Sequence, residues 1–201
     1  MIWIGLTGGI GTGKSTAAQY LRRVGFHVLD ADDIVHKSMG PNGDLVSSIV
    51  DQFGPKVRSI DGSIDRKKLG DVAFQNKEDL LKLEKIVHPY VQKKVQEIRK
   101  GLVKSEAIAF YDVPLLFEKN LESQFDETWL IYAPVEIQRS RIQIRNGWSL
   151  EEIEKRIQSQ MPIDEKRKKA TVIFDNSKTE KDLFQLMDRE LQRLKNHQPQ
   201  T

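Results

Sequence analysis

The 201-residue sequence contains no cysteine. That absence excludes disulfides and thiolate metal sites, and it suits a reducing compartment. No apolar run approaches the roughly 20 residues that a membrane-spanning helix needs, and the opening MIWIGLT has no basic signal-peptide start. Cytoplasm is the default location, and no membrane partner is expected. With 13 glycines and 7 prolines the chain is too poor in both to be disordered or fibrous. No sign of charge dominates either: 32 basic residues stand against 29 acidic ones, a net +3, far from the basic stripe of a nucleic-acid binder. Nucleic acid is therefore not an expected partner. The densest basic run, EKRKKA at 165–170, reads as a solvated helix face.

What is present is 38% apolar and 30% charged, the composition of a globular protein. The length suits one domain carrying a small insert or lid, and only the tail beyond Leu194 reads as frayed. Short β-rich runs alternate with longer helical periods, which predicts a parallel sheet covered by helices. Strands are expected at Ile2–Thr7, Phe26–Asp30, Ala107–Val113, Thr128–Tyr132 and Val172–Phe174. A helix is expected from Lys14, stopped by Gly25, so that FHVLD returns parallel to the first strand as one βαβ unit. The segment DADD at 30–33 would then share a rim with the first strand's loop.

From Pro41 to Lys104 the pattern turns helical. Leu45, Ile49 and Phe53 share a face, Asp65 can cap a helix beginning at Arg66, IDGSID at 60–65 reads as a turn, and His88-Pro89 interrupts a period running from Lys77 to Lys100. Ser149 to Glu152 has capping-box spacing and Thr179 to Asp182 a weaker version of it. Leu183, Leu186, Met187 and Leu191 lie at core-packing spacing on a last helix.

The strongest chemical signal is LTGGIGTGKST at 6–16, where Gly8, Gly13, Lys14 and Ser15 fit G-x-x-x-x-G-K-[ST]. Such a loop wraps a polyphosphate with backbone N–H groups, here of Gly8, Gly9, Gly11, Thr12 and Gly13. Lys14 would bridge the outer phosphates, Ser15 would ligate Mg2+, and Thr16 would support the nucleotide from the first helical turn. Two fragments imitate GTPase signatures, Asp51 to Gly54 and Asn76 to Asp79. Neither follows a buried strand: Asp51 lies within a helical period and Asn76 reads as a cap. Among Asp30, Asp32 and Asp33, Asp32 is the favoured carboxylate to orient an acceptor hydroxyl and take its proton. Arg141 and Arg145, four apart on one helix face, suit a lid whose guanidinium forks match phosphate oxygens, and Arg139 points elsewhere. These residues alone leave open several small-molecule kinases, including one for nucleoside monophosphates, and a nucleotide-dependent switch.

The glycine loop, DAD at 30–32, His88-Pro89, VPLLFE at 113–118, RIQIRNG at 141–147, SQMP at 159–162 and DNS at 175–177 together resemble, in order and spacing, the dephospho-coenzyme A kinases. The resemblance spans nearly the whole chain. It implies an α/β fold: a P-loop NTPase-like three-layer sandwich with a parallel sheet, a helical substrate-binding insert (41–104) and a helical lid (135–165) within a single domain, 1–201. It also implies transfer of the γ-phosphoryl group of ATP, with Mg2+, to the 3′-hydroxyl of dephospho-coenzyme A, the last step of coenzyme A synthesis. Asp32 would be the catalytic base, Lys14 and Arg141 would act on the phosphates with Arg145 beside them, Arg66 and His88 would serve the acceptor, and Asn176 would lie near the adenine. Asp112 and Glu118, flanking VPLL, are open to metal, substrate or structural roles. Ala170-Thr171 and Ser177-Lys178 depart from the family's usual Ala-Asp and Ser-Gly, both on the adenine side.

Overall fold

The computed structural model describes residues 1–103 and 107–196. Five strands, β1 (Ile2–Gly8), β2 (His27–Asp30), β3 (Ile108–Asp112), β4 (Glu127–Tyr132) and β5 (Val172–Asp175), form one sheet in the order β2-β3-β1-β4-β5. β1 is parallel to β3 on one side and to β4 on the other, so it is buried from Trp3 to Gly8. A strand covered on both faces has no need of polar alternation, and IWIGLTG shows none. The expected strands are all present, but β2 does not lie beside β1. β3, some 80 residues later in the chain, lies between them, and the chain order reverses around β1. In open parallel sheets that reversal is where ligands bind, beyond the carboxyl end of the strand.

Among the described residues the helices are α1 (Lys14–Arg23), α2 (Ala31–Ser38), α3 (Val46–Phe53), α4 (Arg66–Ala73), α5 (Lys77–Leu102), α6 (Val135–Asn146), α7 (Leu150–Gln158), α8 (Ile163–Lys169) and α9 (Glu180–Asn196). The chain divides into two compact units, residues 1–28 with 106–201, and residues 29–105.

In the first unit, α1 ends as the glycine predicted. Gly25 takes φ 92°, its N–H bonds to Arg22 O, and the Phe26 N–H reaches back to Leu21 O, closing a Schellman turn. Phe26 then packs against the core that α1 and α9 form on one face of the sheet. An aromatic row of Phe110, Trp129 and Phe174, with centroids 5.1 and 4.8 Å apart, crosses that face. On α9, Leu183, Met187 and Leu191 are buried as their spacing required. Thr179 and Asp182 exchange the capping bonds that open this helix, and Ser149 and Glu152 form a full capping box on α7. The tail is helical through Asn196, two residues past the expected fraying point; residues 197–201 lie outside the described ones.

The second unit is helical around its own core of Met39, Leu45, Ile49, Phe53, Val57, Ile64 and Leu69. Asp65 caps α4 through the N–H groups of Lys67 and Lys68, and Asn76 caps α5. Asp51 sits within α3. IDGSID turns at Gly62, φ 86°, with Asp61 accepting from Ser63. His88-Pro89 does not interrupt the helix: α5 runs continuously from Lys77 to Leu102 with Pro89 inside it. Proline removes one N–H from the ladder, while Ile86, Val87 and Tyr90 pack on the unit's core and hold the helix on either side. Lys104, the expected end of the helical region, lies outside the described residues.

Candidate active site

The loop after β1 turns where its glycines permit. Gly11 (φ 77°) and Gly13 (φ 93°) adopt left-handed conformations, and a side chain on Gly11 would meet the Gln138 carbonyl at 2.9 Å. Gly13 is the N-cap of α1 and no side chain caps the helix there. The first-turn N–H groups of α1 are thus free of side-chain competition, an arrangement that favours an anion. Thr12 is buried, and its hydroxyl turns inward to the Gly9 carbonyl at 2.9 Å.

This loop walls a cleft of about 470 Å³, a size ordinary for a small-molecule site. Of the residues expected to bind nucleotide, Gly8, Gly9, Gly11, Gly13, Lys14, Ser15, Thr16, Arg141, Arg145 and Asn176 all line it. Thr12 does not; its contribution is to brace the turn. Lys178, expected on the adenine side, lines the cleft as well, and so do Pro114, Gln160 and Glu180, to which sequence reasoning assigned no nucleotide role. Four cations against one carboxylate make the cleft suit a polyanion.

Lys14 forms an ion pair with Asp112 at the end of β3. Arg141 and Arg145 project from α6 one turn apart, and the Nη1 of Arg141 is buried without a partner. Arg139 instead reaches Glu154 of α7, which holds that carboxyl below the usual carboxylate range. Asn176 is buried, donates from Nδ2 to the Thr12 carbonyl at 2.8 Å, and leaves Oδ1 buried and unpartnered at the cleft. The basic run at 165–170 departs from expectation at one position: Arg167, Lys168 and Lys169 are exposed, but Lys166 is wholly buried, paired with Glu118 at 2.8 Å.

Asp32, Arg66 and His88 belong to the second unit. Asp30 caps α2 by accepting the Asp32 N–H at 2.9 Å, which leaves the Asp32 side chain exposed in the first turn. His36, one turn on and on the same face, accepts a hydrogen bond from Arg66 Nη1 at 2.8 Å on its Nδ1. His88 is exposed on α5. His36 was not among the expected residues; its i, i+4 relation to Asp32 was the available signal.

Among the described residues no cluster of three or more His, Asp or Glu side chains could hold a metal alone. The Ser15 hydroxyl in the cleft and the Asp112 carboxylate behind Lys14 are hard oxygen donors. They fit Mg2+, which keeps waters and takes its other ligands from substrate phosphates. No helix among the described residues is long and apolar enough to cross a membrane.

Residues 2–182 match the family model for dephospho-CoA kinase. The chain is 44% identical over 175 residues to a dephospho-CoA kinase of Carboxydothermus hydrogenoformans, covering 87% of this chain and 85% of that one. It is 39% identical over 193 residues to that of Streptococcus mutans, covering 96% and 98%. Among solved structures, a dephospho-CoA kinase from Campylobacter jejuni superimposes with a TM-score of 0.76 at 33% identity, covering 96% of this chain and 97% of that one. A shikimate kinase from Acinetobacter baumannii, with a TM-score of 0.52 at 16% identity, covering 99% and 96%, shares the fold. A near-complete match to one family and a phosphate-loop cleft lined as that family's motifs imply agree: the chain belongs to the dephospho-CoA kinase family.

Proposed function

We propose that the chain transfers the γ-phosphoryl group of ATP to the ribose 3′-hydroxyl of dephospho-coenzyme A, giving coenzyme A and ADP. This is the final step of coenzyme A biosynthesis, and the protein is a phosphotransferase acting on an alcohol. The observation that carries the reading is the cleft itself: an uncapped helix start, Lys14, Arg141 and Arg145 converge on one space after β1, within a chain whose residues 2–182 match the family.

Loop N–H groups between Gly8 and Gly13 cradle the phosphates, apart from those of Ile10 and Thr12, which bond to Gln160 Oε1 and the Gly9 carbonyl, and Lys14 exchanges Asp112 for the outer phosphate oxygens. Thr16 supports the nucleotide from the first turn of α1, and Asn176 stands on the adenine side. Ser15 would hold Mg2+ together with the nucleotide, and the ion when bound neutralises charge on the transferring group. Asp32 accepts the proton of the attacking hydroxyl. Arg66 and His88 bind the acceptor within an insert spanning 41–104. Residues 135–165 act as a lid that brings Arg141 and Arg145 over the phosphates and excludes water, so that the hydroxyl and not solvent is phosphorylated. The reaction is assigned to the cytoplasm.

The test is to incubate the protein with Mg-ATP and, in parallel, dephospho-coenzyme A, adenosine monophosphate, cytidine monophosphate or no acceptor, following ADP release and product mass. A gain of one phosphate on dephospho-coenzyme A alone is the expected result. ADP release only with another acceptor would overturn the substrate, and acceptor-independent release would point to a switch.

A further inference from the structure

The motifs VPLLFE and SQMP have no part in the transfer just described, yet both are tied to the phosphate loop, one through the Glu118–Lys166 pair and the other through Gln160. Lys166 of α8 is 0% exposed. Its ammonium lies 2.8 Å from Glu118 Oε1 and makes longer contacts, 3.3 and 3.4 Å, with the carbonyls of Pro114 and Gly8. The same Glu118 oxygen accepts the Met161 N–H at 2.9 Å. Next to it, Gln160 Oε1 accepts the Ile10 N–H at 3.0 Å. Gly8 and Ile10 are the first and third residues of the loop motif. One is held by its carbonyl and the other by its N–H, both from residues 160–166.

Stability explains this lysine poorly. Lys166 is wholly buried and Glu118 largely so; taking such a pair out of water carries a desolvation cost, and apolar residues of similar volume commonly replace buried pairs without loss. What an apolar side chain cannot supply is a charged donor aimed at the carbonyl where β1 gives way to the loop.

We propose that Lys166 is a positioning residue of the phosphate loop: with Glu118 and Gln160 it forms a clasp that fixes the direction of the loop's backbone groups toward ATP. The clasp joins the segment after α7 to the loop, so the two motifs act as one device. The inference rests on the reading that this loop binds ATP.

The informative protein is the full chain carrying Lys166→Met with Glu118→Gln. Both charges go, neither is left buried alone, and an acceptor for the Met161 N–H remains. This double variant is expected to melt near the wild-type temperature while its Kd and KM for ATP rise and kcat falls on the order of 10²-fold, as for displaced reacting groups. The KM for dephospho-coenzyme A should stay within about twofold, a split that separates ATP positioning from general loss of active protein. Gln160→Ala leaves the ion pair intact and should shift the ATP parameters in the same direction at an unchanged melting temperature. Wild-type ATP parameters in the folded double variant overturn the proposal; if that variant does not fold, wild-type behaviour of Gln160→Ala does so. Titration of ATP into each protein reads the clasp even if dephospho-coenzyme A proves not to be the acceptor, so the two failures are distinguishable.

Discussion

Lys14 of the phosphate loop is paired with Asp112, the last residue of β3. The two are 98 positions apart in sequence, and β3 brings them together by pairing directly with β1. The lysine's partner before nucleotide arrives is thus a carboxylate of the chain itself.

Removing that charge with Asp112→Asn leaves Lys14 with a weaker partner. The unliganded protein should lose about 1–3 kcal/mol, the range for an impaired buried hydrogen bond to a charged group. In Mg2+-free solution ATP then supplies the missing anion, so the ATP-induced rise in melting temperature should be larger than in wild type. Calorimetry with and without ATP checks this; equal losses in both states would mean that Lys14 keeps Asp112 as its partner in the complex.

Asp32→Asn keeps the Asp30 cap and the phosphate loop but removes the carboxylate proposed to accept the proton. ATP binding by titration should be unchanged while turnover falls by about 10²–10⁴-fold, the usual worth of a general base. Near-normal turnover would remove Asp32 from the role.

A methyl group at position 13 would run into the Asn176 amide and sit at φ 93°. The left-handed backbone alone costs a non-glycine residue roughly 1–2 kcal/mol, and Asn176 would lose its bond to the Thr12 carbonyl. Gly13→Ala should therefore fold with a lowered melting temperature and show no measurable ATP binding. Retained affinity would mean that this turn tolerates displacement.

His36 steadies Arg66 by accepting its N–H. His36→Phe should raise the KM for dephospho-coenzyme A by about tenfold, the scale of one hydrogen bond to a charged group. The KM for ATP should not move, and steady-state kinetics with each substrate varied in turn would detect the opposite pattern.

Stability should also decline at high pH through Tyr20. Burial and the hydrogen bond to Asp188 push its hydroxyl up to about 12, whereas an unfolded tyrosine ionises near about 10. Between those values the unfolded chain has released a proton that the folded one retains, so unfolding becomes easier as pH rises. The contribution is complete below about 10 and lost as pH passes about 12. Denaturant unfolding of wild type and Tyr20→Phe across this window should show the extra slope only in wild type.

Much of this molecule is legible locally. The loop's glycines, Lys14 and Ser15 are contiguous, so their chemistry needs no folding to be recognised. Asp65, Asn76 and Ser149 cap helices whose first N–H groups lie within three residues of them, and Leu45, Ile49 and Phe53 mark a buried face by their period alone. Pro89 misled because its local cost is real but smaller than the packing of the helix around it.

By itself the sequence determined the α/β pattern, the phosphate loop and the family, since these rest on residues close in the chain or on motifs in fixed order. Only the tertiary structure decided that β3 lies between β1 and β2, that Asn176 braces Thr12 across 164 positions, and that Gln160 holds Ile10 across 150. Lys166 is the sharpest case. In the chain it is one of four basic residues in a row, and only burial against Glu118 sets it apart, because the energy of a charge depends on the medium and partners around it and not on its neighbours in sequence.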